Sequence, residues 1–197
     1  MSTQENKYRI MSFDPSSTQM GMCMGVYYVS QNKFLVLHTE TIKGDNLIKD
    51  AEETLKQYKR PFRVQHYLKD LLVNEVFPEW APDFIVSEGA FYCSRMPNSF
   101  EALILIINAI QEAAFSWNKM KVNLIAPSII KREVSGKATA SKDEMKEAVL
   151  SHPNIDLKMC QLKNTQPTEH EYDAIAHGYT FCQLKWKEKS KNETKKV

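Results

Sequence analysis

Residues 8–17 read YRIMSFDPSS, a short β-prone run that stops in a tight turn beginning at Asp14. Two longer strand-like runs follow at Met20–Val29 and Lys33–Ile42, and the polar residues 30–33 join them. Runs of β-branched, aromatic and apolar residues between turn signals are typical of strands, and the short polar connection favours a hairpin. The first part of the chain therefore predicts three consecutive strands with an acid at the end of the first.

Outward from these strands, apolar periodicity and polar caps indicate the other elements. Helical spacing over Phe62–Phe77 ends at Pro78, and Asp83–Gly89 reads as a short strand buried on both faces. The remaining elements are an apolar helix at Asn98–Trp117, a strand at Val122–Ala126, and helices opened by capping boxes at Ser141 and Thr168. This order predicts an α/β layered fold with five strands of mixed direction, flanked by helices.

The composition fits one domain without a membrane segment. The chain has 197 residues, of which 43% are hydrophobic and 25% charged. The longest apolar run, Ala102–Ile107, is too short to cross a bilayer, and the polar start lacks a signal-peptide pattern. Reduced thiols in the cytoplasm are expected for four widely spaced cysteines, Cys23, Cys93, Cys160 and Cys182.

Charge is unevenly distributed along the chain. The total is only +2, which by itself gives no sign of a nucleic-acid partner. Residues 185–197, however, contain six Lys and two Glu, a net charge of +4. We expect a folded domain over residues 1–184 and a basic, flexible tail over residues 185–197. On the evidence of composition, a tail that aids solubility is favoured over an arm that contacts phosphates.

Three acids occupy positions where a carboxylate needs an explanation. Asp14 follows an apolar strand, Glu88 ends the buried strand, and Asp173 precedes the apolar residues of the last helix. Each has a structural explanation when taken alone. The ends of neighbouring strands and a covering helix can converge, however, and gathered carboxylates repel one another unless a metal ion holds them.

The last helix offers nitrogen ligands beside its acid. His170 and Asp173 are spaced i, i+3 and share a helical face. Glu169 and His177 lie one turn to either side of Asp173, and either can replace His170 in the site. Carboxylate oxygens with one imidazole favour Mg²⁺ or Mn²⁺, and two such ions about 3.5–4 Å apart would activate water against a phosphodiester.

A polyanionic substrate calls for cations and stacking groups near these acids. Basic residues flank Gly136 at Lys131, Arg132, Lys137 and Lys142. Taken alone, this pattern is more typical of a solvated, mixed-charge surface. The pair Phe91-Tyr92 directly follows Glu88-Gly89-Ala90 and would suit stacking on a base, although lone aromatics more often belong to a core.

Taken together, the motifs resemble those of the RuvC-type Holliday-junction resolvases, in the ribonuclease H-like superfamily. Four blocks carry the resemblance in the family's order: Asp14-Pro15-Ser16-Ser17 with Gly21; Ile85-Val86-Ser87-Glu88 with Phe91; Pro127-Ser128-Ile129-Ile130-Lys131 with Val134, Gly136 and Ser141-Lys142; and His170-Glu171-Tyr172-Asp173-Ala174-Ile175-Ala176. The resemblance spans about residues 8–184. Size and divergence would suit a bacteriophage-encoded member.

The resemblance implies a site, a reaction and a partner. Two Mg²⁺ or Mn²⁺ ions would be held by four ligands, namely Asp14, Glu88, His170 and Asp173. Lys131 and Lys142 would hold or polarise phosphates, with Lys142 part of the catalytic set, and Phe91 would wedge into the junction. A homodimer formed through the helix around Asn98–Trp117 would nick opposing strands of branched DNA and leave 5′-phosphates.

The sequence also departs from the family pattern. Ser16 stands where the family usually has Gly, which predicts a wider turn or a re-aimed Asp14. The spacing between Asp14 and Glu88 is longer than usual because of residues 44–60, and residues 152–167 have no clear counterpart. The roles of these two segments are left open.

Two other functions are compatible with the motifs. Another ribonuclease H-like nuclease would cut flaps or RNA–DNA hybrids. An actin-like nucleotide-binding module would share the Asp14 turn with Ser17, Thr18 and Gly21, but such proteins generally have two lobes and repeat the phosphate loop. No second copy of that turn occurs in the sequence.

Overall fold

Five strands form the centre of the structure. The structure is a computed structural model, and it describes residues 6–90, 97–162 and 166–187. They are β1 (Lys7–Asp14), β2 (Gln19–Tyr28), β3 (Lys33–Lys43), β4 (Phe84–Glu88) and β5 (Val122–Ile125). Their order across the sheet is β5-β4-β1-β2-β3. Strands β1, β2 and β3 are antiparallel neighbours, whereas β4 and β5 run parallel to β1. The expected α/β fold with a mixed sheet is confirmed.

Two further strands lie at the outer edge of the sheet. Strands β6 (Ile155–Asp156) and β7 (Gln161–Leu162) each pair in parallel with β3. The sheet of the described residues therefore has seven strands, and the expected number of five was too low. A strand of two residues carries no alternating pattern, so nothing in residues 152–167 indicated it.

Helices cover both faces of the sheet. In the described part of the chain they are α1 (Gly44–Leu47), α2 (Arg60–Leu71), α3 (Phe77–Trp80), α4 (Pro97–Asn118), α5 (Pro127–Ser135), α6 (Lys142–Ser151) and α7 (Glu169–Cys182). A 3₁₀ turn at Glu53–Leu55 and π-helical turns at Leu72–Val76 and Gln183–Lys187 supplement them.

Pro78 does not end the helical region as the sequence predicted. A π-helical turn joins α2 to α3, and the helix stops at Ala81, whose φ is 41°. Pro78 lies in the first turn of α3, a position that tolerates the missing N–H. The proline therefore changes the helix geometry without terminating it.

The predicted helix starts are close to the observed ones. At Ser141 the capping box is complete, because the Glu144 N–H donates to Ser141 Oγ and the Ser141 N–H donates to Glu144 Oε2. The Thr168 hydroxyl accepts from the Glu171 N–H at 3.3 Å. Helix α4 begins at Pro97, one residue before the predicted cap at Asn98.

The sheet has an apolar core on each face. Met11 and Phe13 of β1 belong to the core beneath α2 and α4, while Ile10 belongs to the core beneath α5, α6 and α7. Successive residues of a strand point to opposite faces. The alternation that directs Ile10 and Ser12 toward α7 therefore directs Asp14 toward α7 as well.

Helix α7 lies close to the sheet, and two glycines leave room for it. A Cβ added to Gly21 would come within 1.9 Å of the His170 carbonyl oxygen, and one added to Gly178 within 2.7 Å of Ser12 Oγ. The Ser12 hydroxyl donates to the Ala174 carbonyl at 2.7 Å. Gly21 belongs to the first motif block, and this clearance is its physical role.

Helix α4 is long and strongly apolar. Residues Ser99–Asn118 are long and apolar enough to cross a membrane, by length and composition only, so the expectation based on Ala102–Ile107 understated this helix. Core helices meet the same two criteria, which makes the finding weak. Ile106, Ile110 and Ala113 are buried in the core that α4 shares with α2.

Candidate active site

Two of the predicted acids lie at the carboxyl ends of neighbouring central strands. Asp14 is the last residue of β1, and Glu88 is the last residue of β4. The two strands are parallel neighbours with Phe13 paired to Ser87, so the acids follow that pair side by side. The carboxyl ends of adjacent parallel strands thus bring together residues that are far apart in sequence.

Helix α7 places a third acid and two histidines over these strand ends. His170, Asp173 and His177 are spaced i, i+3 and i+7, so they lie on one face of the helix. All three line a cavity of about 630 Å³ together with Asp14 and Glu88. The structure therefore brings the four predicted ligands into one site.

The two histidines have different partners. His170 Nδ1 lies 2.8 Å from Asp14 Oδ2. His177 Nδ1 lies 2.8 Å from the Phe13 carbonyl oxygen, and its Nε2 lies 3.9 Å from Glu88 Oε2. Of the ligand candidates that the sequence left open, Glu169 instead contacts Lys142.

A divalent cation fits the donor atoms of this site. Asp14, Glu88 and His177 each offer one ligand atom, and these atoms lie within 4.8 Å of one another. Carboxylate oxygens with an imidazole nitrogen are a donor set that Mn²⁺ accepts readily and Mg²⁺ tolerates. Such a site is compatible with metal binding.

The charges of the site also favour a cation. Burial raises the pKa of Glu88 to about 8, with the negative charges of Asp14 and Asp173 adding to the shift and Lys131 opposing it. Burial raises the pKa of Asp173 too, followed by the effect of Asp14. The hydrogen bond to Asp14 raises the pKa of His170. These carboxylates therefore bind a proton readily when nothing else neutralises them.

Two of the predicted lysines reach the cavity, and each has a partner within the protein. Lys131 Nζ donates to the Ala140 carbonyl at 2.8 Å and so ties α5 to the loop before α6. Lys142 Nζ contacts the Glu169 carboxylate, which raises the pKa of Lys142. Both lysines line the cavity, and Lys142 remains largely exposed.

The other predicted DNA contacts are not part of the cavity or cannot be placed. Arg132 and Lys137 are exposed and do not line it, and Lys137 pairs with Glu144 at 2.6 Å. Phe91 and Tyr92 lie outside the described residues, as does the tail after residue 187. Their DNA-binding roles stay predictions.

The segment 44–60 supports the turn after Asp14, a role that sequence analysis missed. The Arg60 guanidinium donates to the Ser17 carbonyl at 2.7 Å and pairs with Asp45. The Gly44 N–H donates to the Thr18 carbonyl at 2.9 Å. Arg60 stood among mixed charges with no periodic pattern, so no signal in the sequence linked it to this turn.

Ser16 fits its turn without the backbone freedom of glycine. Its φ is not positive, and its hydroxyl accepts from the Thr18 N–H at 3.2 Å. The wider turn or re-aimed Asp14 expected from Ser16 stays a prediction.

The start of α4 forms part of the cavity wall, which the sequence did not indicate. The lining residues from this helix are Ser99, Phe100, Ala102 and Leu103. Sequence analysis assigned the apolar face of this helix to a dimer interface. An apolar face has the same signature whether it meets a partner, a core or a cavity, so periodicity could not separate these roles.

The strand order, with acids at the ends of β1 and β4 and α7 across them, forms an α/β fold that aligns with solved structures of Holliday junction resolvases. No model of a protein family matches the chain. Two sequence relatives from Prochlorococcus marinus strains are named crossover junction endodeoxyribonuclease RuvC. One is 26% identical over 147 residues, covering 75% of this chain and 83% of the relative. The other is 25% identical over 172 residues, covering 87% and 94%.

Solved structures of resolvases have a similar fold. RuvC of Thermus thermophilus, in complex with a Holliday junction substrate, aligns with a TM-score of 0.64 at 21% identity and covers 88% of this chain and 92% of its own. The yeast mitochondrial Holliday junction resolvase Ydc2 aligns with a TM-score of 0.61 at 14% identity, covering 100% and 87%. The resemblance to RuvC-type resolvases that the motifs predicted is confirmed.

Proposed function

We propose that this protein is a metal-dependent endonuclease that resolves Holliday junctions. The observation that carries the proposal is the meeting of Asp14, Glu88 and Asp173 in one cavity, at the strand ends of a resolvase-like fold. The names of the sequence relatives and of the solved structures support the same activity.

Asp14, Glu88, His170 and Asp173 would hold two Mg²⁺ or Mn²⁺ ions. Bound ions would supply a lowered pKa for an attacking water and would offset the charge that develops on the leaving oxygen. The protein's own task is to keep four ligands from three elements within one cavity, and the close seat of α7 on the sheet supports that task.

The two cavity lysines would orient the scissile phosphate. Lys142 lies at an exposed position, where a phosphate oxygen can take the place of the Glu169 carboxylate. Lys131 is held by the Ala140 carbonyl and adds positive charge close to Glu88. Hydrolysis in this arrangement would leave 5′-phosphate ends.

A symmetric junction calls for two such sites. We propose a homodimer formed through α4, in which each copy nicks one of two opposing strands. Phe115 on this helix is 59% exposed, which supports an available apolar surface. The enzyme would act on DNA in the cytoplasm.

The test is cleavage of a synthetic four-way junction in Mg²⁺ and in Mn²⁺. Wild type is expected to nick opposing strands, while Asp14→Asn and Glu88→Gln lose at least about a hundredfold in rate. Asp50→Asn and Glu75→Gln change exposed acids outside the cavity and serve as matched controls. Flaps and RNA–DNA hybrids in the same panel test the other nuclease function. Intact junctions with both metals would refute the proposal.

A further inference from the structure

His177 is a buried histidine whose ring orientation is set by the backbone. It is 3% exposed, and its Nδ1 lies 2.8 Å from the carbonyl oxygen of Phe13. A carbonyl oxygen only accepts hydrogen bonds, so Nδ1 carries the proton in this contact. In the neutral ring, Nε2 then has a free lone pair.

That lone pair faces the two acids at the strand ends. His177 Nε2 lies 3.9 Å from Glu88 Oε2, too far for a good hydrogen bond. The ligand atoms of Asp14, Glu88 and His177 all lie within 4.8 Å of one another, which leaves a space bounded by three electron-pair donors. His170 is hydrogen-bonded to Asp14 and is not a member of this group of three.

The same strand supplies an acid and orients the histidine. Phe13 and Asp14 are consecutive residues of β1, so the carbonyl that holds His177 is directly joined to a proposed ligand. Metal-binding histidines commonly donate their other N–H to a backbone carbonyl or a carboxylate, which fixes the tautomer and the ring orientation. His177 has this arrangement.

We propose that His177 binds the metal through Nε2, as the nitrogen ligand next to Asp14 and Glu88. This inference rests on the proposed metal-dependent function and adds to it a ligand outside the four expected ones. His170 remains a proposed ligand, and its Nδ1 lies 2.8 Å from Asp14 Oδ2.

The test uses Mn²⁺ as the probe and compares substitutions of the two histidines. In His177→Asn, the side-chain amide can still donate to the Phe13 carbonyl, but no nitrogen remains at the position of Nε2. We expect the Kd for Mn²⁺ to rise at least about tenfold. Pulsed electron paramagnetic resonance should still detect ¹⁴N coupling in His170→Asn, because His177 remains, and none in the double variant His170→Asn/His177→Asn. His66→Asn, at an exposed histidine, should match wild type.

A second measurement avoids the risk that His177→Asn folds poorly. In wild type labelled with ¹⁵N-histidine, the nuclear magnetic resonance spectrum should show His177 neutral and protonated at Nδ1, with an Nε2 signal that shifts on addition of Mg²⁺. An imidazolium form that ignores Mg²⁺, or a His170→Asn variant that binds Mn²⁺ without ¹⁴N coupling, would overturn the inference alone while wild type still binds metal and cuts junctions. A wild type that binds no Mn²⁺ would overturn the proposed function together with it.

Discussion

Two carboxylates on α7, two residues apart, have opposite surroundings. Glu171 is 4% exposed, and its oxygens accept hydrogen bonds from the Thr39 and Thr41 hydroxyls, each at 2.8 Å. Asp173 faces the cavity, where burial and the charge of Asp14 raise its pKa. A buried carboxylate with neutral donors around it stabilises a fold, whereas one placed among other carboxylates is available for a cation.

Helix α7 therefore carries one acid that holds it to the sheet, Glu171, and one that faces the cavity, Asp173. Glu171 ties the first turn of α7 to β3, and Ser12 holds the next turn through the Ala174 carbonyl. Between these anchors, Asp173 is directed at the strand ends. Acidity alone therefore does not identify the functional residues, and the surroundings of each carboxylate distinguish Glu171 from Asp173.

The largest expected effect is on catalysis. Asp173→Asn should lower the rate of junction cleavage at least about a hundredfold, because it removes a proposed metal ligand. Glu171→Gln, on the same helix, should keep the rate within about fivefold. The measurement is single-turnover cleavage of a four-way junction. Equal losses in the two variants would end the distinction between the two acids.

For the free energy of unfolding, we expect a larger loss at Glu171 than at Asp173. Glu171→Ala leaves the buried Thr39 hydroxyl without its carboxylate acceptor and should cost about 2 kcal/mol, or about 6 °C in Tm. Asp173→Ala removes a carboxylate from a like-charged cluster and should cost less in the presence of a chelator. Thermal unfolding followed by circular dichroism measures both, and a larger loss in Asp173→Ala would contradict the expectation.

The pH dependence of stability should report the same crowding of acids. The pKa of Glu88 rises from 4.5 to about 8 on folding, so the folded state holds the proton more tightly. This contribution is present below about pH 4.5 and is lost as the pH rises toward 8. With a chelator, Glu88→Gln should unfold about 5 °C above wild type at pH 8 and close to wild type near pH 5.

Mg²⁺ provides the control for the pH experiment. It should raise the Tm of wild type at pH 8 by neutralising the acids, and it should affect Glu88→Gln less. A Tm difference between wild type and Glu88→Gln that ignores both pH and Mg²⁺ would count against a crowded acid cluster.

The smallest effect is expected outside the cavity, at Arg60. Arg60→Ala removes the donor to the Ser17 carbonyl and loosens the turn after Asp14. We expect a three- to tenfold lower affinity for Mn²⁺, on the order of 1 kcal/mol, measured by calorimetry. Lys59→Ala, at the neighbouring exposed position, is the control and should bind as wild type does.

Much of this fold was accessible from local patterns. The five long strands, the helix caps at Ser141 and Thr168, and the acids at two strand ends were all visible in the sequence. The two-residue strands and the helix through Pro78 were not, because each depends on a pairing or a shift in the helix that adjacent residues do not encode.

The residues of the candidate site were also only partly predictable from the sequence. Sequence motifs brought Asp14, Glu88, His170 and Asp173 together by resemblance, but left His177 and Glu169 as alternatives. Contacts between distant segments distinguish them, since Glu169 meets Lys142 while His177 meets Phe13 and Glu88. Helical periodicity does not distinguish residues on one face of a helix, whereas their contacts with the strands beneath the helix do.

The sequence by itself determined the class of fold and predicted a metal-binding site, because alternation, capping and carboxylates at strand ends are written in neighbouring residues. Tertiary structure alone decided the depth at which α7 lies, the histidine that faces the paired acids, and the support that Arg60 gives to the first turn. Each of these depends on clearance or hydrogen bonding between segments that meet only when the chain is folded. Such distances are set by packing, which no local pattern specifies.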